Sequence, residues 1–90
     1  MAVLRRSGGY TTVDDINRYF FSSGMIIVSA TGANLIHGRS PGEVSQDVEG
    51  MDTVIKLAKN MAWVLKMMDA TKNLIPPPPY TKKRFTNFIR

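Results

Sequence analysis

Residues 25–28, Met25, Ile26, Ile27 and Val28, form an apolar, β-branched run that ends in the small polar stretch Ser29-Ala30-Thr31-Gly32-Ala33-Asn34. A run this apolar cannot leave one face in water, so it reads as a strand covered on both faces. Residues 25–30 are thus the expected spine of the core. The small side chains that follow fall where an open α/β sheet exposes the carboxyl ends of its strands, the edge at which such sheets bind ligands.

The flanking segments fit that plan. Residues 2–5 are short and apolar and read as a first strand, with Ser7-Gly8-Gly9 as the turn that ends it. Thr11 or Thr12 is placed to cap a helix, Asp14 and Asp15 suit its positive end, and Val13, Ile16 and Phe20 recur at helical spacing. Ser22-Ser23-Gly24 closes this helix, with glycine in the left-handed cap. Residues 31–45 hold Gly32, Gly38, Pro41 and Gly42 and predict a loop of about fifteen residues.

The acids around residues 46–49 suit the start of a long helix, whose apolar face is Met51, Val54, Ile55, Ala58, Met61, Ala62, Leu65 and Met68. Gly50 is an expected weak spot in it, costing about 1 kcal/mol relative to alanine. Pro76, Pro77, Pro78 and Pro79 then predict a polyproline segment that holds residues 80–90 away as an arm. The expected organisation is an α/β unit over residues 1–70, strand-helix-strand-helix, with a proline-rich linker and basic aromatic arm over 71–90.

Composition removes several chemistries. The 90 residues contain no cysteine, which excludes disulfides, thiolate nucleophiles and cysteine-ligated metal centres within the chain. A domain this short buries only roughly 60 to 70% of the surface of its unfolded chain, so a thin stability margin is expected. No apolar stretch reaches the roughly 18 residues of a membrane span, and the start lacks a signal-peptide core. A cytoplasmic protein without a membrane partner is the expectation.

The net charge of +5 is unevenly spread. Residues 1–70 balance Arg5, Arg6, Arg18, Arg39, Lys56, Lys59 and Lys66 against Asp14, Asp15, Glu43, Asp47, Glu49, Asp52 and Asp69. The excess belongs to Lys72, Lys82, Lys83, Arg84 and Arg90.

Ser7-Gly8-Gly9-Tyr10-Thr11-Thr12, between a strand and a helix start, offers backbone amides to an anion or to the polar edge of a heteroaromatic ring. It is neither the GxGxxG fingerprint nor a phosphate loop ending in Gly-Lys-Ser or Gly-Lys-Thr. His37 has no second histidine or cysteine to complete a metal set and reads as a solvated loop residue. Ser7, Ser29 and Ser40 lack a nucleophile elbow. Asp47, Glu49 and Asp52 read as helix-start charges, and Met61, Trp63, Met67 and Met68 as core packing or a subunit contact.

In order, Leu4-Arg5-Arg6-Ser7-Gly8-Gly9, Asn17-Arg18-Tyr19-Phe20-Phe21, Gly24-Met25-Ile26-Ile27-Val28, Asn34, Gly38, Pro41-Gly42-Glu43-Val44, Asp47-Val48-Glu49-Gly50 and Lys59-Asn60-Met61-Ala62-Trp63 resemble the C-terminal half of flavodoxin-like, NAD(P)H-dependent FMN reductases, nearest the branch that includes iron–sulfur flavoproteins. The resemblance runs over residues 3–68, and Thr86-Asn87-Phe88-Ile89-Arg90 is also similar to that branch. It implies a doubly wound parallel sheet of order 2-1-3-4-5, of which this chain supplies strand 4, its helix, strand 5 and the last helix.

FMN would lie over the carboxyl ends of those strands, with Arg6, Ser7, Gly8, Gly9, Tyr10 and Thr11 facing it and Asn34 in the place of the family's asparagine after strand 5. Gly32 and Ala33 stand where relatives carry an aromatic pair. The loop that holds the FMN phosphate would lie upstream of Met1, so the resemblance implies half of a flavoprotein, completed by a complementary chain or a homo-oligomer and inactive in oxidoreduction alone.

Two other readings stand beside it. The tail interleaves basic residues with Tyr80, Phe85 and Phe88, a pattern suited to nucleic acid or an acidic partner. The charge-neutral domain before it disfavours nucleic acid and favours an oligomer arm. The chain also reads as a shortened remnant without activity of its own.

Overall fold

The computed structural model describes residues 1–89. Arg90, counted with the basic arm, lies outside them. β1 (Ala2–Leu4) and β2 (Leu35–His37) pair in parallel, Ala2 against Leu35, Val3 against Ile36 and Leu4 against His37. Each strand is followed by a helix, α1 (Gly9–Ser22) and α2 (Val48–Thr71), and a short 3-10 turn at Val44–Gln46 leads into the second. The class is α/β with a two-stranded parallel sheet among the described residues.

α1 starts earlier than the threonines predict. Gly8 is its N-cap in the left-handed region, φ 86°, which turns the chain from strand to helix in a few residues. Thr12 lies inside the helix and its hydroxyl donates back to the Gly8 carbonyl at 2.9 Å. Among the described residues no side chain caps α1, and Asp14 and Asp15 fall beyond its first turn. Gly9 matters for packing instead of turning, since a Cβ there would lie 2.7 Å from Leu35 Cδ2 and 2.9 Å from Leu4 Cδ2. Its bare backbone lets the helix start sit directly on the sheet.

The other end of α1 matches expectation. Gly24 has φ 70°, its amide donates to the Phe21 carbonyl at 3.0 Å, and the Met25 amide donates to the Phe20 carbonyl at 3.1 Å. This pair of bonds is the Schellman termination.

Residues 25–30 correct the sequence expectation most. They form no strand; Met25 and Ile26 are 58% and 78% exposed, and the paired strand is β2, inside the predicted loop. The core is Ala2, Val13 and Ile36, the last only 3% exposed. A run covered on both faces belongs in the middle of a sheet, and a sheet of two strands has only edges. Ser29 instead meets α2, where Asn60 Nδ2 donates to its carbonyl at 2.8 Å.

α2 carries a second correction. Met51, Val54, Leu57, Asn60 and Val64 are half-buried, whereas Met61, Trp63, Leu65, Met67 and Met68 are exposed. The sheet is too short to cover the helix past its middle, so the Met61-Trp63 step is not core. Gly50 is no weak spot either: a Cβ there would run into the Asp47 carboxylate and lie 2.8 Å from Ile36 Cγ1. Residues 76–89 form neither helix nor strand, and Tyr80, Phe85 and Phe88 are each more than four-fifths exposed.

These placements reverse two mutational expectations. Ile36→Ala should cost about 2–5 kcal/mol as a core truncation, while Ile26→Ala should change stability by less than about 0.5 kcal/mol. Urea unfolding followed by circular dichroism reads both, and a larger loss for Ile26→Ala would restore residues 25–30 as the core strand. Gly50→Ala should destabilise despite the gain of about 1 kcal/mol in helix propensity, because its methyl has no room.

Candidate functional site

Two parallel strands each leading into a helix bring both helix starts to one side of the molecule. Between them lies a cleft of about 460 Å³, within the roughly 300–1,000 Å³ common for small-molecule sites. Arg6, Ser7, Gly8, Gly9 and Tyr10 line it from the β1–α1 turn, and Thr31, Gly32 and Ala33 from the turn before β2. His37 and the start of α2, Asp47, Glu49, Gly50 and Thr53, complete the wall.

The structure therefore brings together Arg6, Ser7, Gly8, Gly9 and Tyr10 of the residues singled out in the sequence. Thr11 and Asn34 are not in the lining. Asn34 braces the turn beside it: its Oδ1 accepts from the Ala30 amide at 3.4 Å and its carbonyl from the Ala2 amide at 2.9 Å. Gly32, with φ 70°, makes that turn possible. Thr31, Gly32 and Ala33 line the cleft, although no strand precedes them.

The two helix starts differ in electrostatics. α1 opens with no capping side chain, so its first-turn amides lack a side-chain acceptor and carry a partial positive charge. α2 is capped by Asp47, whose Oδ1 accepts from the Gly50 amide at 3.0 Å. Asp47 Oδ2 accepts from the His37 amide at 2.7 Å and lies 3.1 Å from His37 Nδ1. The helix-start role expected of Asp47 is present.

His37, expected in a solvated loop, instead ends β2 and pairs with Asp47. This contact spans ten residues and two elements, so no local spacing announces it. The nearest clue is Asp47 three positions before Gly50, the interval at which a cap carboxylate meets a helix amide.

The Gly50 and His37 amides, in that order, hold the Asp47 carboxyl below its ordinary 3.8. Glu43 behaves alike: its Oε2 accepts from the Ser40 amide at 2.8 Å and the Arg39 amide at 2.7 Å, which holds its carboxyl below 4.5. This pins the turn in which Gly42 has φ 85°. A depressed carboxyl contributes stability that is complete above its unfolded pKa and lost as pH falls through the lower folded value.

The arrangement can hold a flat polar ligand by its edge. The free α1 amides, the Ser7 hydroxyl and Arg6 supply donors, Asp47 and Glu49 carry negative charge, and Tyr10, 70% exposed, offers a ring face. Among the described residues no group of three or more His, Cys, Asp or Glu side chains is arranged to hold a metal ion. No helix among them is long and apolar enough to cross a membrane.

The helical signal should thus hold on acidification to about pH 5 and fall only as the two lowered carboxyls protonate. Circular dichroism against pH checks this, and Glu43→Gln combined with Asp47→Asn should flatten the acid limb. An unchanged acid limb in the double variant would transfer the effect to other carboxyls.

Comparison with protein-family models, with curated proteins and with solved structures finds no match to this chain.

Proposed function

We propose that the chain is the C-terminal part of a flavodoxin-like domain and supplies one wall of an FMN site, in an oxidoreductase of the NAD(P)H-dependent FMN reductase type. The observation that carries this reading is the cleft between the two helix starts, lined by Arg6 to Tyr10, five of the six turn residues, Arg6 to Thr11, that the family resemblance assigns to the flavin. Bound there, FMN supplies the hydride or electron chemistry, and the protein positions and tunes it.

The residues fit the ring end of FMN. A built Cβ at Gly8 meets nothing within 4 Å, so a planar ring has open backbone to approach. The uncapped α1 amides and the Ser7 hydroxyl match the acceptors along its polar edge. For the phosphate the cleft offers Arg6 and no serine- or threonine-rich loop. That end would be held outside these 90 residues, by a segment that pairs along the free edge of β1, with Trp63 and the methionines of α2 as further contacts.

The exposed arm supports a second reading, a binding module for nucleic acid. Lys83 Nζ stands 5.7 Å from the centroid of the Phe85 ring, and Tyr80, Phe85 and Phe88 are open to stack on bases. Such binding would fall steeply with salt and vanish when residues 80–90 are deleted.

FMN fluorescence titrated with the chain alone should show weak binding. Joined to the first three strands of a flavodoxin-like FMN reductase, the chain should purify as a yellow protein. Tight binding by the chain alone overturns the missing phosphate site, and a colourless joined protein that is folded overturns the family reading. No retention of single-stranded nucleic acid at low salt removes the second reading.

A further inference from the structure

His37, the only histidine of the chain, is half exposed and lines the cleft. Its Nδ1 lies 3.1 Å from Asp47 Oδ2. The carboxylate is fixed independently of that ring, because the His37 amide donates to Oδ2 at 2.7 Å and the Gly50 amide to Oδ1 at 3.0 Å. Those two donors also keep Asp47 ionised.

An ionised carboxylate accepts and cannot donate, so the ring nitrogen facing it carries the hydrogen. In the neutral ring the lone pair is then on Nε2, the reverse of the form that predominates in free histidine. Among the described residues nothing hydrogen-bonds to Nε2. Arg6 and Glu49, of opposite charge, and Tyr10 share the cleft wall with it.

We propose that His37 and Asp47 form a proton-exchanging dyad serving a ligand with a weakly acidic ring N–H or hydroxyl in the cleft. The ligand's N–H or O–H bond breaks as the Nε2–H bond forms, and no electrons change hands. The imidazolium is held against the Asp47 carboxylate until the proton returns along the same path. His37 is the exchanging group and Asp47 its positioning residue. The dyad lies in the same cleft as the proposed flavin, but the tautomer that Asp47 imposes on His37 is read on the chain without any cofactor.

With one histidine, nitrogen-15 NMR of the full chain reports a single imidazole. At alkaline pH the wild type should show a protonated Nδ1 and a bare Nε2. Asp47→Asn should invert that ratio, and Asp47→Glu should restore part of it.

Diethyl pyrocarbonate, which acylates a bare imidazole nitrogen, should modify Nε2. A wild-type ring in the Nε2–H form at alkaline pH overturns the dyad, and so does an Nε2 that resists the reagent. Asp47 also caps α2, so circular dichroism accompanies its variants, and the wild-type tautomer decides even where they unfold.

Discussion

The Asp47 carboxylate joins the end of β2 to the start of α2, and most of the molecule's geometry depends on that joint. One oxygen accepts the His37 amide and faces the His37 ring, the other accepts the Gly50 amide. Gly50 is buried and bare because this carboxylate and Ile36 fill the space where a Cβ would go. The central core residue, the helix cap and the cleft wall are thus neighbours of one side chain. A shift of α2 by the size of a methyl group would disturb all three.

Around this joint there is little else. The chain exposes 8140 Å², against about 5,200 Å² for a compact protein of its mass. Its radius of gyration is 17.9 Å, where a closed domain of this length has about 12 Å. The projecting arm accounts for part of the difference and the uncovered α2 for another part. Parallel sheets are normally covered on both faces and carry more strands than two. The free edges of β1 and β2 and the exposed Met25, Ile26 and Trp63 are the surface that the described residues leave uncovered.

That surface also explains what the sequence made legible. α2 and the Schellman end of α1 were readable because helix periodicity and a left-handed glycine are local properties. The turn from Arg6 to Tyr10 was readable as a candidate site because strand, glycine pair and helix start follow one another directly. Residues 25–30 misled for a physical reason: an apolar, β-branched run is typical of strands buried on both faces, but a strand needs partners to pair with, and the described residues supply none there. β2 was hidden in the opposite way, since Leu35, Ile36 and His37 are too few to show a period among glycines. The His37–Asp47 contact depends on how β2 meets α2 and has no local signature.

The thin core ties ligand binding to folding. Anything that binds only the folded state stabilises it by an amount that grows with the ratio of free ligand to Kd, and in so small a core that gain is a large fraction of the whole. The cleft wall and the scaffold share Gly9, Leu35, Asp47 and Gly50, so a ligand seated there presses on the residues that hold the two helix starts to the sheet. The two amide bonds to Asp47 do not involve the imidazole. Proton exchange at His37 Nε2 therefore leaves the carboxylate bound to the β2 and α2 backbone, without melting the helix that frames the cleft.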